Sequence, residues 1–304
     1  LLYSAAEHPS IRENALSCRR FGKAAHRIGV EKDGRVSEAT LAKALDKHPE
    51  ARFVALMGVN NEIGAYTDVA SLARFARARR AGGPLHIHSD LVQAAGKVPV
   101  SLSEWDIDSA SLSGHKLGAP RGIGALYLRN PARALFAGGG QEGGVRGGTE
   151  NTAGAVALAA CLEARLGSLK EEYRLAAARF GRLIRFLRGL PGCVLIPEDR
   201  AEDDPRFSPY ILQAAFRGIP GEVMVRILDD AGFAVSTGSA CSARSQTRPV
   251  LAAMRLDPKT AREGIRISQG WSTTFADIDA LISAVSAAGG GGTTASSGAA
   301  VSGH

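Results

Sequence analysis

Long apolar runs are missing from this chain of 304 residues: no stretch of 18 or more uninterrupted apolar residues occurs, so none reads as a membrane-spanning helix. Cysteine is sparse as well. Cys18, Cys161, Cys193 and Cys241 stand far apart with no Cys-x-x-Cys pair. That spacing argues against a zinc cluster and a secreted disulfide framework, and for a reducing cytoplasm. Aromatic residues make up only 6% and do not interleave with a basic block, so the net charge of +7 does not read as a nucleic-acid surface. The arginines recur at helical spacing (Arg74, Arg77, Arg79, Arg80) and describe solvated helix faces. An acidic protein partner fits such a surface. Also missing are an initiator methionine and a basic-then-apolar leader. Leu1 to Ala6 reads like the inside of a strand, so a chain lacking its first portion is expected.

What is present suits a globular α/β protein of one large or two modest domains, with 45% apolar and 22% charged residues. From residue 1 to about 130, apolar runs alternate with amphipathic stretches. Strands are expected at Arg52 to Val59, Pro84 to His88, Ile107 to Leu112 and Gly124 to Arg129. A helix capped by Thr67 or Asp68 would carry Val69, Leu72, Ala73 and Ala76 on one face. Strands alternating with helices imply a mostly parallel sheet covered on both faces, with ligands beyond the carboxyl ends of the strands. Asn60, Asn61, Asp90, His115 and Lys116 all follow apolar runs and are expected on one rim. A glycine-dense loop at 138–151 leads into a long helix at about 152–189. The second domain offers a helix at Glu222 to Leu228, a strand at Gly264 to Ser268 and a last helix from Phe275 to about Ala288. The expected division is 1–150, a linking helix at 151–190, a small domain at 191–288, and a disordered Gly/Ser/Thr/Ala tail at 289–304.

Two motifs carry chemistry. Ser113-Gly114-His115-Lys116 sets a lysine at a strand end among small residues, which suits an amine that forms an imine with an aldehyde cofactor. Pyridoxal phosphate is the usual one, and Asp90 is a candidate to hold its ring nitrogen protonated. Ser236 to Ala243 sets Cys241 among small residues, which suits a thiol that swings between substrate and partner. Each residue also has a plain alternative: Lys116 as a solvated loop residue, His8 as a turn histidine before Pro9, Asn60-Asn61 as a turn, and Arg266 as an ion-pair partner. His86 and His88 share a strand face, but without a third ligand nearby they read as core or rim histidines, and no metal is expected. Cys18, Cys161 and Cys193 read as structural.

Several segments together resemble the cysteine desulfurases of the NifS/IscS type, pyridoxal-phosphate enzymes of the class V aminotransferase group. They are Glu7-His8, Val59 to Gly64, His88 to Gln93 with Gly96-Lys97, Ser113 to Lys116, Gly138 to Asn151, Ser236 to Ser242, and Ile265 to Ser268. The resemblance implies a fold type I transferase with a smaller α+β domain at its C-terminal end, acting as a homodimer. It implies that Lys116 bonds the cofactor and moves the substrate's α-proton, that Asp90 holds the ring nitrogen and that Gln93 bonds the ring hydroxyl. His8 would lie over the ring and assist proton transfer. Ser113 and His115 would bind the phosphate, with Thr149 reaching the neighbouring subunit's site. Asn61, close to the cofactor, and Arg266 would grip the carboxylate of L-cysteine, since a guanidinium pairs bidentately with carboxylate. Cys241 would take the sulfur as a persulfide and pass it to an acceptor or an iron–sulfur scaffold protein, serving there as a transient cluster ligand. The sequence departs from the family at Ser89, Leu91, Val92 and Ala119, and lacks the family's leading Ser-Gly-Ala-Thr-Glu phosphate loop. The rival readings are another class V enzyme (a selenocysteine lyase or an aminotransferase), a non-catalytic interaction protein, and a functionless remnant.

Overall fold

A computed structural model describes residues 1–80, 83–136, 138–238 and 248–290. Cys241 and the residues of the expected tail from 291 onward lie outside the described residues.

Leu2–Ser4 (β1), His26–Ile28 (β2), Phe53–Met57 (β3), His86–Asp90 (β4), Ser109–Ser113 (β5) and Gly124–Leu128 (β6) form one sheet in the order β2-β1-β3-β4-β5-β6. The first five strands are parallel and β6 returns antiparallel to β5. The central strands read as continuous apolar runs because both their faces are buried: Val54, Leu56 and Ile87 have no exposed surface. Helices Pro9–Ser17 (α1), Glu38–Lys47 (α2) and Val69–Arg79 (α3) make the crossovers. The α3 cap is Asp68, whose Oδ1 accepts from Ser71 N at 3.0 Å, and α2 begins in a Ser37–Thr40 capping box. Leu41, Leu45, Val69, Leu72 and Ala76 from these helices join Leu2, Ile28, Leu56 and Ile87 in the main core.

A second sheet, Cys193–Ile196 (β7), Ile211–Phe216 (β8) and Gly264–Ser268 (β9), is antiparallel in the order β7-β8-β9. Its own core joins Leu212, Ala214, Ile265 and Ile267 to Phe180, Leu183 and Leu187 of Thr152–Gly189 (α4). Met224 and Leu228 of Gly221–Asp230 (α5) and Ile278, Leu281 and Val285 of Phe275–Gly290 (α8) complete it. Two short helices, Pro249–Ala253 (α6) and Pro258–Glu263 (α7), lie between α5 and β9. Cys193, half buried on β7, has its thiol pushed up to about 12 by burial, as an inert structural cysteine should.

Cover on both faces of the large sheet fails at one end. Leu126 of β6 is exposed, as are Leu135 and Phe136 in the following loop and Val156 and Leu166 on α4. By length and composition α4 could cross a membrane; its second half instead packs on the second sheet while its first half lies exposed.

Candidate active site

The strand order reverses between β1 and β3: the chain leaves β1 for β2 on one side, then returns to build β3, β4 and β5 on the other. Such a reversal opens a crevice beyond the carboxyl ends of the strands. Glu7-His8 follows β1, Asn60-Asn61 follows β3, Asp90 ends β4, and Ser113 to Lys116 closes β5. Six of the predicted residues, His8, Asn61, Asp90, Ser113, His115 and Lys116, thus come from four adjacent parallel strands.

Asp90 is buried at 3% exposure, and its Oδ1 accepts from Val92 N at 2.9 Å. Burial raises its pKa, while the Val92 N–H and His8 pull it down. A half-buried His8 feels both Asp90 and Lys116; burial lowers its pKa most, Asp90 opposes this, and Lys116 and Arg12 add to it. His8 also caps α1: Ser10 N donates to its Nδ1 at 3.2 Å. A donor on Nδ1 requires that lone pair, so the ring proton sits on Nε2. Nothing in His-Pro-Ser suggested that capping role beyond a turn.

Asn60 and Asn61 divide their work. Asn60 is buried; its Nδ2 donates to Ala6 O at 2.9 Å while its Oδ1 accepts from Glu62 N and Ile63 N. It ties the His8 loop to the Asn61 loop. Asn61 is partly exposed, and its carbonyl accepts from Arg266 Nη1 at 3.0 Å, bringing β9 of the second sheet onto the rim. Burial lowers the Arg266 pKa against the pull of Glu62.

Ser113 Oγ and His115 Nδ1 lie 2.8 Å apart, and the His115 pKa is lowered by desolvation and by Lys116, Arg121 and Lys97. Gln93 is buried, with Oε1 accepting from Lys97 Nζ at 3.0 Å. Thr149 is exposed in the loop before α4, its carbonyl near Arg146 Nη1 at 3.5 Å. It is not among the residues that converge on the crevice. His86 Nε2 and His88 Nδ1 both pair with Ser109 Oγ, at 2.7 and 2.8 Å, which accounts for them as strand-packing residues.

Three residues at the crevice stand out that the motifs did not assign a role. Glu7 is 3% exposed, neither carboxylate oxygen has a hydrogen-bond partner among the described residues, and burial with Asp90 nearby raises its pKa well above the ordinary value against the pull of the Met57 backbone. Glu62 is buried opposite Arg248 and Arg266, and burial raises its pKa against them. Lys97 is buried among Gln93, Trp271 and two other cations, and its pKa falls to about 8, chiefly through desolvation. The small residues of Ala94-Ala95-Gly96-Lys97-Val98 were the one sign in the sequence that this lysine is enclosed. A cavity of about 880 Å³ lies elsewhere, between α1, β2 and α2; it is lined by Arg12, His26, Lys43, Lys47, His48 and Arg255 and holds none of the predicted site residues.

A reversed parallel sheet with a lysine, an aspartate and a histidine at its carboxyl edge defines a fold type I transferase. Residues 1–281 match the aminotransferase class-V family, and the chain belongs to that family. A cysteine desulfurase of Gluconacetobacter diazotrophicus is 36% identical over 286 residues, covering 93% of this chain and 69% of the relative. The cysteine desulfurase IscS of Clostridium botulinum (strain Hall) is 34% identical, with 90% and 68% covered. Among solved structures, a NifS-like protein superimposes with a TM-score of 0.83 at 30% identity, covering 94% of this chain and 74% of that one. The chain thus spans about seven-tenths of the length of these relatives.

The cofactor of the family is pyridoxal phosphate, and the residues present fit it. Asp90 is a buried carboxylate whose ionisation burial opposes, so it wants the cationic partner that a protonated pyridine nitrogen provides. Among the described residues the buried Arg266 Nε has no hydrogen-bond partner, beside Lys97 and a polar rim suited to an amino acid and a phosphate.

Proposed function

We propose that this chain is a pyridoxal-phosphate-dependent cysteine desulfurase, converting L-cysteine to L-alanine and leaving the sulfur as a persulfide on Cys241. The observation that carries this reading is the convergence of His8, Asn61, Asp90 and Lys116 from four neighbouring strands onto one crevice. When bound, the cofactor supplies an aldehyde for Lys116 and an electron sink for the substrate's α-carbon. Asp90 keeps the ring nitrogen protonated, and Gln93 donates to the ring's phenolic oxygen. Ser113 and His115 hold the phosphate, and Thr149 serves the site of a second copy. Asn61 and Arg266 grip the substrate carboxylate, the guanidinium entering as a fork. Lys116 would move the proton at the substrate's Cα, and His8 would offer its Nε2 proton there. The Cys241 thiolate then attacks the substrate sulfur; a new S–S bond forms as the C–S bond breaks, and the carbon fragment leaves as alanine after protonation.

Two further assignments belong to this reading. A second copy fits the exposed apolar surface of Leu126, Leu135, Phe136, Val156 and Leu166, so the working unit is a homodimer. The persulfide passes to an acceptor or scaffold protein, for which an acidic surface would match the net charge of +7, in a reducing cytoplasm that keeps the thiols free.

The test is to supply the chain with pyridoxal phosphate and L-cysteine and to measure alanine, sulfide and the mass of the Cys241 peptide. One added sulfur on Cys241 and one alanine per sulfur support the reading. Turnover surviving in a Lys116→Ala or Cys241→Ala variant would overturn it.

A further inference from the structure

Lys97 has no role in the chemistry just described, and its placement is costly. Its side chain lies in the turn after β4, where Ala94 N and Ala95 N donate to Leu91 O and Lys97 N donates to Ala94 O. Gly96 makes that turn possible at φ +67°; a Cβ there would stand 2.9 Å from both Arg165 Cβ and Leu117 Cδ2. Lys97 is left 9% exposed, with its ammonium 5.9 Å from the Trp271 ring, whose face Arg165 also covers at 3.7 Å. No carboxylate lies within ion-pair distance of it among the described residues, and its charged neighbours are the cations Lys116 and Arg266. A buried ammonium beside like charges opposes folding, so a lysine kept there has a task beyond packing.

The task is visible in its one polar contact among the described residues, Nζ to Gln93 Oε1 at 3.0 Å. An ammonium only donates, so it fixes which end of the amide is the oxygen. The other end of the amide is then Nε2, which can only donate. We propose that Lys97 is a positioning residue: by holding Gln93 Oε1 it turns the amide N–H of Gln93 toward the phenolic oxygen of the bound cofactor. The proposal rests on the function proposed above. A donor on that oxygen draws electron density from it and weakens its grip on the neighbouring protonated nitrogen, and the Lys97 charge acts in the same direction.

The measurement is the pH midpoint of the bound cofactor's visible absorption, with cofactor dissociation constants alongside. Lys97→Met is expected to raise the midpoint by about one unit and weaken cofactor binding about tenfold, with Lys97→Arg recovering most of both. Gln93→Glu keeps a partner for Lys97 but removes the N–H, so it should raise the midpoint similarly even if Lys97→Met folds poorly. In a double-mutant cycle, Lys97→Met added to Gln93→Ala should move the midpoint far less than Lys97→Met alone. Full additivity would mean that Lys97 acts by its charge alone and would overturn the proposal. A normal band with an unmoved midpoint in Lys97→Met or Gln93→Glu overturns it too, and leaves the desulfurase reading standing. If the unaltered chain binds no cofactor through Lys116, both fall together.

Discussion

Replacing Arg200 should cost more stability than any surface arginine and should damage the site at a distance. Arg200 is 2% exposed, yet no carboxylate lies within ion-pair distance of it among the described residues. Its Nη1 donates to Ile63 O at 3.0 Å and to Ile211 O at 2.8 Å, and its Nη2 donates to Ser208 O at 3.0 Å. The guanidinium stacks 4.7 Å above Phe207. One side chain thus pins the loop that carries Asn61 to the first residue of β8. Arg200→Met keeps the apolar stem and removes the fork. Three hydrogen bonds from a charged donor would contribute about 5–9 kcal/mol if each were worth about 1.5–3 kcal/mol. Relief from burying the cation returns several kcal/mol of that. The residue of the sum is the orphaning of three buried carbonyls, and the expected net loss is about 3–5 kcal/mol. Urea denaturation at constant m-value reads it directly. Arg200→Lys should fall in between, because a point charge cannot reach three carbonyls at once. In folded variants, KM for cysteine should rise, since Ile63 lies two residues from Asn61. A loss below about 1 kcal/mol for Arg200→Met, with KM unchanged, would refute the reasoning.

Other expectations follow from single observations. Glu7 has a folded pKa raised above its ordinary 4.5, so its contribution to stability is full below that value and is lost as pH rises through the folded pKa. Glu7→Gln should therefore melt higher than the parent at pH 8 without cofactor and show a flatter melting profile; parallel profiles would contradict this. Gly64 stands at φ +75°, and a Cβ added there would meet Ile211 O at 2.5 Å, whereas Gly22, at φ +70°, faces open space. Gly64→Ala should cost at least about 2 kcal/mol and Gly22→Ala about 1 kcal/mol, compared by denaturation midpoints. Arg248 donates to Ala261 O at 2.5 Å and Gly264 O at 2.8 Å, and also to Thr237 O, so it joins the two ends of the segment that contains Cys241. Arg248→Met should slow persulfide formation about tenfold or more while leaving the cofactor's absorption unchanged, read by single-turnover mass spectrometry.

Much of the frame was legible because its signals are local. The apolar run ending in Met57, the Thr67-Asp68 cap signal and the long stretch of α4 with few breakers each declare their element within a few residues. The antiparallel return of β6 was not, since a strand's direction depends on its partner and Gly124 to Leu128 carries no mark of it. Its exposure was hidden for the same reason. In the site, Asp90 and Lys116 were readable as strand-end residues of distinctive type. Glu7, Glu62 and Lys97 were not, because an acidic or basic residue in sequence reads as solvated. Their burial comes from elements far along the chain: Met57 beside Glu7, Arg248 and Arg266 opposite Glu62, and Trp271 over Lys97.

That burial gives the crevice an unusual charge balance, and the balance explains what it binds. Glu7 and Asp90 stand together as carboxylates whose ionisation burial resists, while Lys97, Lys116 and Arg266 crowd as cations, and burial resists the charge of Lys97 and Arg266. Burial opposes charge on both sides, and the protein groups offset it only in part: Glu62 faces Arg266, while among the described residues neither Glu7 oxygen nor Arg266 Nε has a hydrogen-bond partner. A ligand relieves both sets only if it brings a cationic ring nitrogen to the acidic side and anionic groups to the basic side. An amino acid joined to a phosphorylated pyridine has that polarity. A neutral or singly charged ligand would satisfy one side and leave the other strained. Selectivity for cofactor and substrate together therefore follows from unpaired buried charge as much as from shape.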